Sequence, residues 1–406
     1  MNGSHDSRAL RVRYDTATAE LSPPLAIVDL AAFDANADAM ARAATSMTDA
    51  PLPIRVASKS VRCRELIRRA LDHPGFAGVL AFSLAEAVWL VETGLTDDAV
   101  VGYPTADAAA LTTLAADADL ARAITLMVDD EAQLDLIDRV ISPADRAQLR
   151  LCIDMDASWR PLGSPSHIGV RRSPVHKPID VVRLGKAIAA RPGFRLVGVM
   201  SYEAQIAGVQ QGHGLAATAV RAMQRRSFAE LRRRRGLAIA GLRRLVDLEF
   251  VNAGGTGSLA LTAGDPSVTE LTAGSGLLAP TLFDGYDAFT PEPAAAFALS
   301  VVRRPTRDIA TLHGGGWPAS GPGQPSRLPT PWLPAGLKLT GIEGAGEVQT
   351  PVTGPSAADL RVGDRVWFRH AKAGELSERV NRLHLINGSR IEATVPTYRG
   401  EGRAFL

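Results

Sequence analysis

Short runs of β-branched and apolar residues alternate with longer Ala- and Leu-rich stretches of helical period between residues 54 and 275. No other feature constrains the chain as strongly, because strand, crossover helix and next strand together build a parallel sheet. Eight strands are read, over 54–59, 78–83, 99–104, 124–129, 149–154, 196–202, 250–255 and 270–275. The helices between them begin near Arg62, Leu84, Thr105, Asp130, Ile179, Gly212 and Gly257, several after a Ser, Thr or Asp able to cap the first turn. Eight such units predict an α/β chain closed into a (β/α)8 barrel of TIM type, with an open doubly wound sheet as the alternative.

Residues 25–30 read as a ninth strand, leading into an amphipathic helix from Ala31 to about Met47. A barrel takes eight, so the N-terminal segment is assigned in part to a second domain. After Phe283 the helical period stops, and Pro, Gly and alternating runs at 296–302, 365–368 and 383–386 predict a mostly β domain. The expected division is therefore 1–24 contributing to the β domain, 25–282 as the barrel and 283–406 as the β domain. The stretch 313–334, with its Gly run and prolines, suits neither strand nor helix. A loop that long is usually functional or disordered.

Composition narrows the function. Lys and Arg number 45 against 43 Asp and Glu, and a net charge of +2 favours neither nucleic acid nor an anionic membrane. The arginine-rich stretch 221–235 carries Met223, Phe228 and Leu231 at helical spacing, so it reads as a helix with a solvated basic face. No apolar run approaches the roughly 20 residues of a membrane helix, and the first twenty residues hold no signal-peptide pattern. Cys63 and Cys152 make neither a disulfide framework nor a zinc cluster. A cytoplasmic protein acting on a small molecule is expected.

Working residues of such a barrel lie at the C-terminal ends of its strands, with phosphate commonly held after strands seven and eight. Here strand seven runs into Gly254-Gly255-Thr256-Gly257-Ser258 and strand eight into Gly274-Ser275-Gly276. Glycines admit an anion close to backbone N–H groups, and hydroxyls add donors. Either loop alone could be a tight turn; the pair in these two places points to a phosphate. At the end of strand one, alternation puts Arg55, Ala57 and Lys59 on one face, directed into the barrel mouth. A lysine there can attack an aldehyde, its pKa lowered by burial and by the Arg55 cation.

Arg55-x-x-x-Lys59, Gly254-Gly255-Thr256-Gly257 and Glu270-x-x-Ala273-Gly274-Ser275 resemble the D-threonine aldolase and D-serine dehydratase group, relatives of bacterial alanine racemase, over residues 24–381. The resemblance implies a barrel plus a β domain and pyridoxal 5′-phosphate carried by Lys59 as a Schiff base. It implies cofactor contacts from Arg55, Tyr202, Gly254, Gly255, Thr256, Gly257, Gly274 and Ser275, and from Arg160 or its competitor Arg171 on the pyridine side. It also implies a homodimer and a small amino acid substrate.

The chain departs from that group where a metal would meet the substrate hydroxyl. His370 survives, but Lys372 replaces the second ligand, and an ammonium has no lone pair to offer. Either Lys372 supplies a positive charge without a metal, which is the favoured reading, or His370 and Glu375 recruit a metal to a shifted site. His313, before Gly314-Gly315-Gly316, is a candidate acid or base facing Lys59, and Tyr202 is another. The expected function is a lyase, aldolase or dehydratase, acting on D-3-hydroxy amino acids. An amino acid racemase and a non-catalytic cofactor-binding protein are the alternatives.

Overall fold

The computed structural model describes residues 2–45, 50–163, 165–212, 214–287, 289–321 and 323–405. Eight parallel strands, Ile54–Ala57, Phe76–Ala81, Ala99–Val101, Ile124–Val128, Leu149–Asp154, Phe194–Ser201, Phe250–Ala253 and Glu270–Ala273, form a closed barrel. Closure comes from pairing of the first strand with the last, Ile54 opposite Leu271. Val100, Met127, Cys152, Met200 and Phe250 fill its interior. Gly198 makes room for one of them: a Cβ there would lie 2.3 Å from the Phe250 ring.

Most strands end one or two residues before the expected limit, because their last residues leave the ladder to form the mouth. The first strand is the instructive case. Ser58–Ser60 is a 3-10 turn, so Lys59 is not a strand residue and strand alternation does not set its direction. Around the barrel, caps of the expected residue types form: Ser83 accepts from Glu86 N–H, Asp107 from Ala110 N–H to open a helix three residues beyond its expected start near Thr105, and Asp130 closes a capping box with Gln133.

The arginine-rich stretch lies in the long helix Gly214–Leu242, as its period predicts, but its basic face is not wholly solvated. Arg234 and Arg235 turn inward and are buried. Arg234 donates to the carbonyls of Asp156 at 2.7 Å and Ser158 at 3.0 Å, and Arg235 to Asp265 at 2.7 Å. A guanidinium satisfies several barrel acceptors at once, which makes burial tolerable where a lone charge would be expelled.

The second domain is a nine-stranded, mostly antiparallel sheet. Strand Leu25–Asp29 belongs to it, antiparallel to Ala295–Thr306 and parallel to Arg382–Asn387. The expected barrel boundary at residue 25 is corrected accordingly: all five residues of this strand are buried and their ladder partners are in the sheet. Helix Asn2–Ala17, read from sequence only as part of the N-terminal segment, packs on this sheet through buried Tyr14, whose ring centroid is 5.4 Å from that of Trp367. Helix Leu30–Ala43 then crosses to the barrel, where the Asn36 amide donates to the Leu277 carbonyl at 3.2 Å. It stops short of its expected end near Met47, which lies outside the described residues. One continuous core joins Val56 and Leu271 of the barrel to Phe297 and Phe368 of the sheet. The domains thus meet at the mouth of the barrel, and loops of the second can reach over it.

Candidate active site

A cavity of about 460 Å³ opens at the C-terminal ends of the barrel strands, lined by barrel residues and by a few from the second domain. Lys59 reaches it from the 3-10 turn, with Nζ donating to the Tyr103 hydroxyl at 2.6 Å. The Ser58 hydroxyl anchors that turn by donating to the Leu80 carbonyl at 3.1 Å, and Gly374 packs so closely above that a Cβ would lie 1.9 Å from the Lys59 carbonyl oxygen. Burial raises the Tyr103 hydroxyl pKa, but the Lys59 charge and hydrogen bond, aided by Arg172, outweigh it and hold the group below its ordinary value. Tyr103 was not singled out from the sequence, although its place at the end of the third strand marks it by the rule that marks Tyr202.

The two glycine-rich loops contribute to the same cavity through Gly254, Gly255, Thr256, Gly274 and Ser275. They are tied together: the Thr256 and Ser275 hydroxyls are 3.1 Å apart and Gly276 N–H donates to Thr256 Oγ1 at 3.2 Å. Glycine is required sterically, since a Cβ on Gly255 would lie 3.0 Å from the Tyr202 ring and one on Gly274 2.7 Å from the Ala57 carbonyl oxygen. Gly257 serves packing instead; its missing Cβ faces the Ala207 carbonyl and the Tyr286 ring, and it does not line the cavity.

Beneath these loops is a carboxylate that sequence reasoning missed. Glu203 is fully buried and accepts from Gly254 N–H at 3.3 Å, from Ser258 Oγ at 3.3 Å and from Thr262 Oγ1. Arg235, itself fully buried, lies 3.8 Å away and is shared with Asp265. Tyr202, next to Glu203 in the chain, lines the cavity, and burial pushes its hydroxyl up to about 12.

The arginines resolve differently from expectation. Arg55 does not line the cavity; it points into the barrel interior, where Nε and Nη2 each meet the Glu270 carboxylate at 2.9 Å and Nη1 meets Asp98 at 2.9 Å. A guanidinium so neutralised is not a free cation beside Lys59. Arg160 is held by Asp156 at 2.6 Å, and neither it nor exposed Arg171 lines the cavity. Arg172 does, its guanidinium 5.6 Å from the Tyr103 ring centroid. In the recess beside it, Asp154 is pushed up to about 7 by burial and by the Asp129 charge, with Arg172 pulling the other way.

The long loop does reach the site, though not by its histidine. His313 ends strand Ile309–His313, is exposed and does not line the cavity. The glycines after it admit protein rather than a ligand: a Cβ on Gly315 would lie 2.8 Å from a Leu299 methyl and one on Gly316 2.1 Å from the Gly346 carbonyl carbon. Ser320 and Arg327, further along, line the cavity beside Lys372 and Glu375. Lys372 Nζ donates to the Ser320 carbonyl and hydroxyl, each at 3.1 Å, while Glu375 accepts from Ser320 N–H at 2.7 Å.

His370 is not brought to this group. It is buried outside the cavity, and burial with the adjacent Arg369 charge drives its pKa down to about 3. Among the described residues no group of three or more His, Cys, Asp and Glu side chains converges as a metal site. The donors on the cavity wall do not suit a divalent cation, because Lys372 is a cation itself and Glu375 is engaged with Ser320.

Residues 28–259 match the family described as alanine racemase, N-terminal domain. The chain belongs to that family. Alanine racemase-family architecture extends beyond the matched residues. A D-threonine aldolase from Filomicrobium marinum superposes with a TM-score of 0.77 at 20% identity, covering 94% of this chain and 96% of that one. D-threo-3-hydroxyaspartate dehydratase from Delftia sp. HT23 follows at 0.69 and 16%, covering 93% and 97%. Alanine racemase from Bacillus anthracis with bound L-Ala-P superposes at 0.61 and 16%, covering 93% and 98%. At these identities the likeness is one of fold, and it bears out the resemblance drawn from the glycine-rich loops and Lys59. A search of curated protein sequences returns no match. Among the described residues no helix is long and apolar enough to cross a membrane.

Proposed function

We propose that this alanine racemase-family chain is a pyridoxal-phosphate-dependent lyase, aldolase or dehydratase, of D-3-hydroxy amino acids. The observation that carries this reading is that Lys59 Nζ and two linked glycine-rich loops line one cavity. The residues present fit the cofactor: backbone of Gly254, Gly255 and Gly274 lines the cavity that Lys59 enters, and Thr256 and Ser275 present hydroxyls there to a phosphate. When bound, pyridoxal phosphate supplies an electron sink for the bond broken at the substrate α-carbon. The chain's task is to hold that bond in place and to move protons. Lys59 Nζ would carry the cofactor and, once released by substrate, take or return a proton, with the Tyr103 hydroxyl at 2.6 Å as its partner. Tyr202 would lie against the cofactor ring, and Arg172 would fill the role expected of Arg160 or Arg171.

Two measurements test the reading. The purified chain incubated with pyridoxal phosphate should acquire the cofactor's visible absorbance, and Lys59→Arg should lose it, because a guanidinium does not condense with the aldehyde. Products from D-threonine, D-serine and D-alanine then distinguish the reactions. Glycine with an aldehyde marks an aldolase, an oxoacid with ammonia a dehydratase, and the opposite enantiomer a racemase using Tyr202 as its second acid–base group. Loaded enzyme that turns over none of these overturns the proposal.

A further inference from the structure

The metal disagreement leaves a patch of positive charge on the cavity wall formed by the second domain. Arg327 ends the 3-10 turn Pro325–Arg327 and lines the cavity, yet its Nε and Nη1 are buried without an acceptor among the described residues. Lys372 lines the same cavity and reaches toward the loop that carries Arg327, its Nζ donating to the Ser320 carbonyl at 3.1 Å. The one carboxylate on this wall, Glu375, accepts from Ser320 N–H and has no ion pair with either cation among the described contacts. The Ser320 hydroxyl, 3.1 Å from Lys372 Nζ, adds a donor or acceptor at the same spot. Two cations lining one cavity wall, one of them with buried N–H groups that lack an acceptor, are unfavourable alone. They become favourable when an anion enters, and a guanidinium fork beside an ammonium is matched to a carboxylate.

We infer that Arg327, Lys372 and Ser320 form a carboxylate-binding site that anchors the substrate on the second-domain side of the cavity. This rests on the proposed function for the identity of the ligand as substrate, but the site itself requires only the cavity. Two carboxylates could occupy it. One is the α-carboxylate common to all amino acids, which leaves the side chain unrestricted. The other is a carboxylate on the side chain, which makes the enzyme selective for dicarboxylic substrates. In either case Lys372 serves an anion where a metal ligand would serve a cation.

Calorimetric titration with unreactive hydroxy acids separates these possibilities without turnover. The probes are D-lactate, D-malate and uncharged lactamide, titrated into the full chain loaded with pyridoxal phosphate and, separately, without it. At least one acid should bind tenfold or more weakly to Arg327→Gln and to Lys372→Gln than to wild type, with Arg327→Lys in between and lactamide unaffected. An equal loss for lactate and malate assigns the site to the α-carboxylate. A loss confined to malate assigns it to a side-chain carboxylate. Wild-type affinity of both acids in both Gln variants overturns the inference, as does failure of wild type to bind either acid. Visible absorbance of the loaded variants reports that the barrel site is intact. Failure of wild type to take up the cofactor counts against the proposed function, and the cofactor-free titrations then still decide the anion site.

Discussion

Glu203→Gln is the sharpest probe of how this barrel holds its glycine-rich loops, because it keeps volume and burial while changing the charge and the hydrogen-bonding pattern of the side chain. Glu203 Oε2 accepts from Gly254 N–H, and Oε1 from the hydroxyls of Ser258 and Thr262. An amide has one acceptor oxygen and a two-proton donor. If the amide oxygen stays with the hydroxyls, the NH2 confronts the Gly254 N–H; if it turns, the hydroxyls must find other acceptors. At least one bond to a charged acceptor is lost, about 1.5–3 kcal/mol, and an orphaned buried donor adds about 1–3 kcal/mol. Arg235 keeps Asp265 at 2.7 Å, which limits the damage there. A net loss of about 2–4 kcal/mol is expected after the hydroxyls reorient. Urea denaturation of the variant should show a lower midpoint at unchanged slope. If about 1–2 kcal/mol of that loss disorders Gly254–Ser258, pyridoxal phosphate should bind about 5–30-fold more weakly by calorimetry. Wild-type values for both midpoint and affinity would refute the reasoning.

Three further outcomes are expected. Tyr103→Phe should retain the cofactor absorbance but slow turnover by about 10²-fold or more, the ordinary contribution of a positioned acid–base group; turnover within twofold of wild type removes Tyr103 from proton transfer. His313→Asn should leave turnover unchanged, since His313 does not line the cavity; a large loss would mean that the loop rearranges on binding. Asp154 is raised by burial and then by Asp129 to about 7, above the roughly 3.9 of an unfolded chain. Its contribution is therefore fully present below pH ~3.9 and lost as pH rises through about 7. Asp154→Asn should accordingly be more stable than wild type above pH 7 and gain nothing near pH 4, so parallel stability–pH curves for the two proteins would count against this assignment.

The amino-acid sequence by itself determined the barrel strands, part of the second sheet and the glycine-rich loops, while helix Asn2–Ala17 and strand Thr330–Leu333 went unread. Strand and helix periods are local, so all eight barrel strands, and the strands about 296–302, 365–368 and 383–386, were legible in it. Backbone freedom is local too, and Gly254, Gly255 and Gly274 line the cavity where their pattern placed them. Lys59 was found for a partly wrong reason: it reaches the cavity from a 3-10 turn rather than by alternation with Arg55. Only the tertiary structure decided which charged groups face the cavity. Arg160, Arg171 and Arg172 are equivalent as residue types, and the path of one irregular loop chooses Arg172. Arg55 and Arg235 are cations in sequence but are neutralised by Glu270 and Asp265, more than 200 and 30 residues distant along the chain, respectively. Arg327 and Ser320 enter the site from another domain, and no period or motif encodes that approach. Side-chain charge is a local property, whereas its partner, and hence its chemistry, is set by packing between segments remote in the chain.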